Sequence, residues 1–119
     1  MSINQGEIWM VSFEPSVGSE IQKLRPAIIV SSDKMSRFGL RTVVPITEWK
    51  SYYKDFPWII QIENLPSNGL SKLSSIECFQ VKNFSKERFV KHMGSIDKKL
   101  LYKVHKTIAK TLDPKYKLL

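Results

Sequence analysis

A chain of 119 residues with one cysteine, five glycines and two histidines is poor in the parts from which many functional sites are built. The single Cys78 excludes an intramolecular disulfide and lies inside an apolar strand, which suits a reduced cytoplasm. His92 and His105 have no carboxylate or cysteine at metal-ligand spacing, so no bound metal or other cofactor is expected. There is no glycine-rich phosphate loop, no nucleophile elbow and no Ser-His-Asp order. No apolar run approaches the roughly 18 residues of a membrane span. The N-terminus, MSINQGEIW, lacks a basic region followed by an apolar one, so no secretory signal is read there. A cytoplasmic protein without membrane contact is expected, and the length fits a single domain, residues 1–119, with a core of its own.

Acidic residues are scarce in one region only. Residues 1–81 carry eight Lys/Arg against eight Asp/Glu, and residues 82–119 carry eleven against three, so the whole net charge of +8 sits in the last third. A basic surface attracts phosphate backbones or an acidic protein partner. For the final helix alone, a lysine-rich solvated face is the simpler explanation.

Strand signals dominate what is present. Apolar and β-branched segments at residues 7–13, 26–31, 41–46, 56–63 and 73–82 are separated by turn-rich stretches. Residues 14–24 form a loop too long for a tight hairpin, and 65–71 (LPSNGLS) is a strong turn. A short helical turn follows at 85–89, and His92 lies in a terminal strand. From Asp97 the period changes: Leu101, Val104, Ile108 and Leu112 form an apolar stripe, capped by Asp97 or Ser95 and stopped by Asp113-Pro114. The expected fold is mainly β with a C-terminal helix, a small antiparallel barrel or strongly bent sheet with the helix packed against it.

Candidate chemistry gathers at two strand termini. Arg25 ends the long loop, where its planar fork can bind a phosphate bidentately; taken alone, it reads more simply as a strand-entry arginine paired with Glu20 or Glu14. Thr47 follows Pro45-Ile46 and opens a loop, where its hydroxyl can serve a phosphate or merely satisfy backbone groups. Trp49, Tyr52, Tyr53, Phe56 and Trp58, with Lys50 and Lys54 between them, make a platform for unstacked bases. Phe56 and Trp58 are expected partly buried, and Trp49, Tyr52 and Tyr53 exposed.

These segments together resemble the MazF/PemK family of toxin endoribonucleases of bacterial toxin–antitoxin systems. The resemblance is carried by Gly6-Glu7-Ile8-Trp9, Gly18-Ser19-Glu20, Arg25-Pro26 with the run to Ser31, and Pro45-Ile46-Thr47. Gly69-Leu70, Gln80 and Met93-Gly94 are weaker matches. It implies a barrel-like fold shared with the CcdB gyrase poisons, a homodimer, and metal-independent, sequence-selective cleavage of single-stranded RNA. It also implies an antitoxin partner with an acidic tail. By motif position Arg25 and Thr47 become the main catalytic residues, with Glu20 as candidate base. Ser19, Lys23, Trp49, Lys50, Gln80 and Lys82 become RNA-binding residues. Two departures stand out. Ile21 and Lys23 replace a Gln and a Gly of the loop pattern, and Phe79 occupies a position that is acidic in some members. Phe79 is expected packed in its strand or at a dimer contact. A non-enzymatic CcdB-like toxin that binds gyrase, and a basic nucleic-acid-binding module, are the competing functions. Arg25 and Thr47 at matching motif positions favour the nuclease over both, because a gyrase poison has no need of that pair.

Overall fold

The apolar strands at the centre of the chain are buried on both faces, which is why they read as runs rather than as clean alternation. In β1 (Glu7–Ser12), Ile8 joins one core cluster while Trp9 and Val11 join another. In β2 (Leu24–Ile29), Ile28 goes to the first cluster, and Ala27 and Ile29 to the second. In β3 (Leu40–Glu48), Val44 and Ile46 oppose Val43 in the same way. The first core is covered by the helix, and the second by Ile3 and Phe89, with Phe13 and Phe84 packed against it. The computed structural model describes residues 2–13, 24–113 and 115.

The remaining elements are β4 (Ile59–Ile62), β5 (Ser74–Glu77), β6 (Lys82–Ser85), β7 (Phe89–Ser95) and α1 (Lys98–Thr111). Short 3-10 turns occupy Asp33–Phe38, Ser51–Asp55 and Lys86–Arg88. All strand pairs are antiparallel, in the order β4-β5-β3-β2-β1-β7, with β6 also on β3. This is the mainly β fold with one C-terminal helix that the sequence predicts, built as a bent sheet.

The single strand expected at residues 73–82 is two strands. β5 pairs with the end of β3 (Ile46↔Ile76) and β6 with its beginning (Val43↔Lys82), so both lie along one edge of β3 with a turn between them. Pro45, which has no N–H to give, falls in the gap between these two ladders. The Gln80 N–H donates to the Glu77 carbonyl at 3.0 Å, which closes the turn. Phe79 is therefore neither in a strand nor packed; it stands on the turn, 49% exposed.

Edge strands β4 and β7 share no ladder among the described residues, but the turn after β4 reaches across to β7. The Ser95 N–H donates to the Ser67 carbonyl at 3.0 Å. Two glycines make this approach possible. A Cβ on Gly94 would fall 2.6 Å from the Asn68 carbonyl carbon, and one on Gly69, which has φ +73°, would fall 2.9 Å from that of Met93. Asn68, buried at the centre of the turn, accepts the Leu65 and Leu70 N–H groups, each at 3.0 Å, and donates to the Glu63 carbonyl at 2.9 Å.

The helix starts where the sequence predicts, with the Asp97 carboxylate accepting the Leu100 N–H at 2.8 Å. Leu101 and Val104 are buried and Ile108 packs against the first core. Leu112 does not continue the stripe: the helix ends at Thr111, and Leu112 is 76% exposed as its C-cap. No helix among the described residues is long and apolar enough to cross a membrane.

Candidate functional site

Arg25 lies inside β2 rather than at the end of a loop: it is half-buried and sits opposite Val11 of β1. The β2–β3 register runs Ala27↔Pro45, Ile28↔Val44, Ile29↔Val43. Continued by one pleat repeat, it sets Arg25 toward Thr47 on the same face of the sheet. Thr47 is likewise a strand residue, the second-last of β3, paired with Ser75 of β5. Strand pairing carries both residues because β2 and β3 extend past the apolar runs that signalled them. A backbone ladder needs no apolar side chain at its ends.

The Thr47 and Ser75 hydroxyl oxygens are 2.8 Å apart. Ser75 is fully buried and donates to the Thr47 carbonyl at 3.2 Å. Two residues further along β5, on the same face, comes Glu77, a carboxylate only 7% exposed. The Gln80 side-chain amide donates to its Oε2 at 3.1 Å. Burial pushes the Glu77 carboxyl above its ordinary value, and the Arg25 guanidinium, then the Gln80 amide, pull it back down. Tyr53 from the Ser51–Asp55 turn also feels this site: burial raises its phenol first, then Tyr52, then the charge on Glu77.

Of the residues predicted from sequence, Arg25, Thr47 and Gln80 thus come together. Glu20, Ser19 and Lys23 lie outside the described residues. Lys50 stands at the rim, 3.6 Å from Glu48, which also meets Lys72 at 3.5 Å. Lys50 first and Lys72 second hold the Glu48 carboxyl below its ordinary value. Lys82 is exposed at the start of β6, opposite Val43, on the far side of the turn from Glu77.

The aromatic segment is arranged differently from expectation. Trp49 and Tyr53 are half-buried, with ring centroids 5.8 Å apart, and Tyr52 is exposed. Phe56 and Trp58 are exposed, 46% and 39%, because β4 begins only at Ile59 and they precede it in a turn. With Pro57, Ile59 and Phe79 they line an apolar hollow of about 230 Å³. Ile59 is the register partner of Glu77, which places this hollow beside the carboxylate. A second hollow, about 350 Å³, is bounded by Thr47, Glu48, Lys72, Met10, Pro26 and Met93, among others. A third, of about 430 Å³ between residues 61–68 and the start of α1, carries Glu63 and Asp97 and no cation, the wrong sign for a phosphate.

Ser75 and Glu77 are the residues that sequence reasoning missed. Their signal was present: polar residues two apart, alternating with Ile76 and Cys78 in an otherwise buried segment, although Cys78 falls in the turn just after β5 and not inside the strand expected for it. His92 lies on β7 with Nε2 3.6 Å from Glu7, and His105 on α1 with Nε2 2.9 Å from the Val30 carbonyl. Among the described residues no three His, Cys, Asp or Glu side chains meet as a metal site would require.

The chain is 27% identical to the endoribonuclease MazF9 of Mycobacterium tuberculosis, over 93% of its own length and 97% of that protein's. Among solved structures it is similar to an endoribonuclease from Mycobacterial species in complex with its cognate antitoxin. The TM-score is 0.73 at 15% identity, over 98% of this chain and 100% of that one. It is also similar to MazF from Deinococcus radiodurans, with a TM-score of 0.72 at 17% identity, over 94% and 97% of the two chains. These structural likenesses establish the fold. The family model for PemK-like, MazF-like toxins of type II toxin–antitoxin systems matches residues 4–112, and the chain belongs to that family.

Proposed function

We propose that this protein is the toxin of a type II toxin–antitoxin system, acting as a sequence-selective endoribonuclease on single-stranded RNA. The observation that carries this is the pair of Thr47 and Ser75 hydroxyls on one sheet face, toward which the continued β2–β3 register directs Arg25, beside exposed aromatic rings. The simplest chemistry for such a set is attack of the RNA 2′-hydroxyl on the adjacent phosphorus, without a metal. The Arg25 guanidinium binds the phosphate and stabilises the charge that grows on it. The Thr47 hydroxyl hydrogen-bonds the phosphate or the attacking oxygen. Bases stack on Tyr52, Phe56 and Trp58, and Lys50 and Lys82 supply backbone charge. Glu20, Ser19 and Lys23 are assigned to the same groove by motif position alone.

The same reading makes the protein a single-domain cytoplasmic homodimer, held inactive by an acidic antitoxin. The family membership and the basic final third support this partner. The deciding experiment is cleavage of single-stranded RNA by the purified protein in excess EDTA. Products should carry a 5′-hydroxyl and a 2′,3′-cyclic phosphate or its 3′-phosphate hydrolysis product. Activity that appears only with added Mg²⁺ or Mn²⁺ sinks the mechanism. Gyrase inhibition without RNA cleavage would turn the assignment to a CcdB-like poison.

A further inference from the structure

The strand break between β5 and β6 holds a buried carboxylate beside the very groups assigned to the phosphate. Glu77 is 7% exposed, shares its sheet face with Ser75 and Thr47, feels the Arg25 charge, and is tethered through Oε2 by Gln80. No lysine reaches it through a described ion pair, and the Gln80 amide is its side-chain hydrogen-bond partner. A carboxylate buried without a full counter-charge is costly to keep, and nothing in the core needs it. We propose that Glu77 is the general base of the reaction, in place of an acidic residue at position 79.

The inference rests on the nuclease reading above. The carboxylate takes the proton of the 2′-hydroxyl as its oxygen bonds to phosphorus. The bond from phosphorus to the 5′-oxygen breaks, that oxygen takes a proton from solvent water, and Glu77 later returns its own proton to solvent. Burial raises the basicity of the carboxylate, while Arg25 favours its ionised form. The charged or titratable groups facing Glu77 are Arg25 from β2 and Tyr53 from the Ser51–Asp55 turn; β4 offers it Ile59 in register. Gln80 becomes a positioning residue, turning the carboxylate by one hydrogen bond while its second oxygen stays available.

The test is single-turnover cleavage of a short single-stranded RNA as a function of pH, by wild type and by Glu77→Gln, alongside RNA affinity and thermal melts. Glu77→Gln should cleave about 100-fold or more slowly, the loss typical of a missing general base. It should bind RNA within a few-fold of wild type and lose the acidic limb of the rate profile. Full-rate cleavage by a folded Glu77→Gln, or an unchanged acidic limb, overturns the proposal. Should that variant fail to fold, wild type alone decides: the Glu77 carboxyl, followed by ¹³C NMR, must titrate at the pH of the kinetic limb, and a mismatch overturns the assignment. Wild type that cleaves no RNA defeats the nuclease reading instead. An active wild type beside an equally active Glu77→Gln defeats only the role of Glu77.

Discussion

The side chain of Thr47 meets that of Ser75 across the β3–β5 ladder, oxygen to oxygen at 2.8 Å. The Ser75 proton has a second acceptor in the Thr47 carbonyl, at 3.2 Å. Removing the Thr47 hydroxyl therefore strands no buried donor. Thr47→Val, similar in shape, should cost about 1 kcal/mol of stability or less. It should also lower RNA cleavage by two orders of magnitude or so, the loss that follows removal of one charge-stabilising donor. Denaturant titration and cleavage assays on the same preparation check this, and an equally active variant removes Thr47 from the site.

Arg25 bears on both chemistry and stability, because its charge offsets the buried Glu77. Arg25→Ala should abolish cleavage and lower stability at pH 7 by on the order of 1 kcal/mol, a modest figure because water screens the half-buried guanidinium. Adding Glu77→Gln should restore most of that stability and none of the activity. Arg25→Lys should rescue cleavage poorly, since an ammonium lacks the bidentate fork. Strictly additive stabilities in the double-mutant cycle would show that the two residues do not interact.

The raised titration of Glu77 also makes a signed statement about pH. A carboxyl that titrates higher in the folded protein contributes stability below its ordinary pKa of about 4.3, and that contribution is lost as pH rises through the folded value. At pH 7, above the ordinary value, wild type bears the cost of this raised titration, and Glu77→Gln does not. The variant should melt above wild type at pH 7, and the gap should close near pH 4. A variant that melts lower at pH 7 contradicts the sign.

Cys78 is fully buried in the first core, and burial pushes its thiol up to about 12, with Lys103 opposing only in part. Since the thiolate is the reactive form, native protein should resist alkylation at pH 8 and react at once when unfolded. Rapid modification of the native protein would show that the turn after β5 opens locally.

Gly94 should tolerate no side chain, because a Cβ there would meet the backbone of Ser67 and Asn68. Gly94→Ala should cost about 2 kcal/mol or more, since two backbone segments rather than a flexible side chain must move. Thermal melting reads this directly, and an unshifted melt would mean that the turn does not seal the sheet against β7.

The sequence by itself determined the elements whose cause is local. Asp97 caps its helix through a carboxylate three residues from the N–H it accepts, and Asn68-Gly69 builds its turn from groups within five residues. The Arg25-Pro26 and Pro45-Ile46-Thr47 motifs, and with them the resemblance to the family, were also legible in the sequence. What lay beyond the sequence depended on contacts between distant segments. The split of residues 73–82 follows from β3 offering two pairing sites on one edge. The exposure of Phe56, Trp58 and Phe79 follows from strands that start late or end early. The site was legible in part, because Arg25 and Thr47 carry motif signatures. Glu77 acquires its chemistry only when β2 brings Arg25 beside it and the fold takes water away. No single residue carries its own desolvation, so tertiary structure alone decided where the buried charge would be.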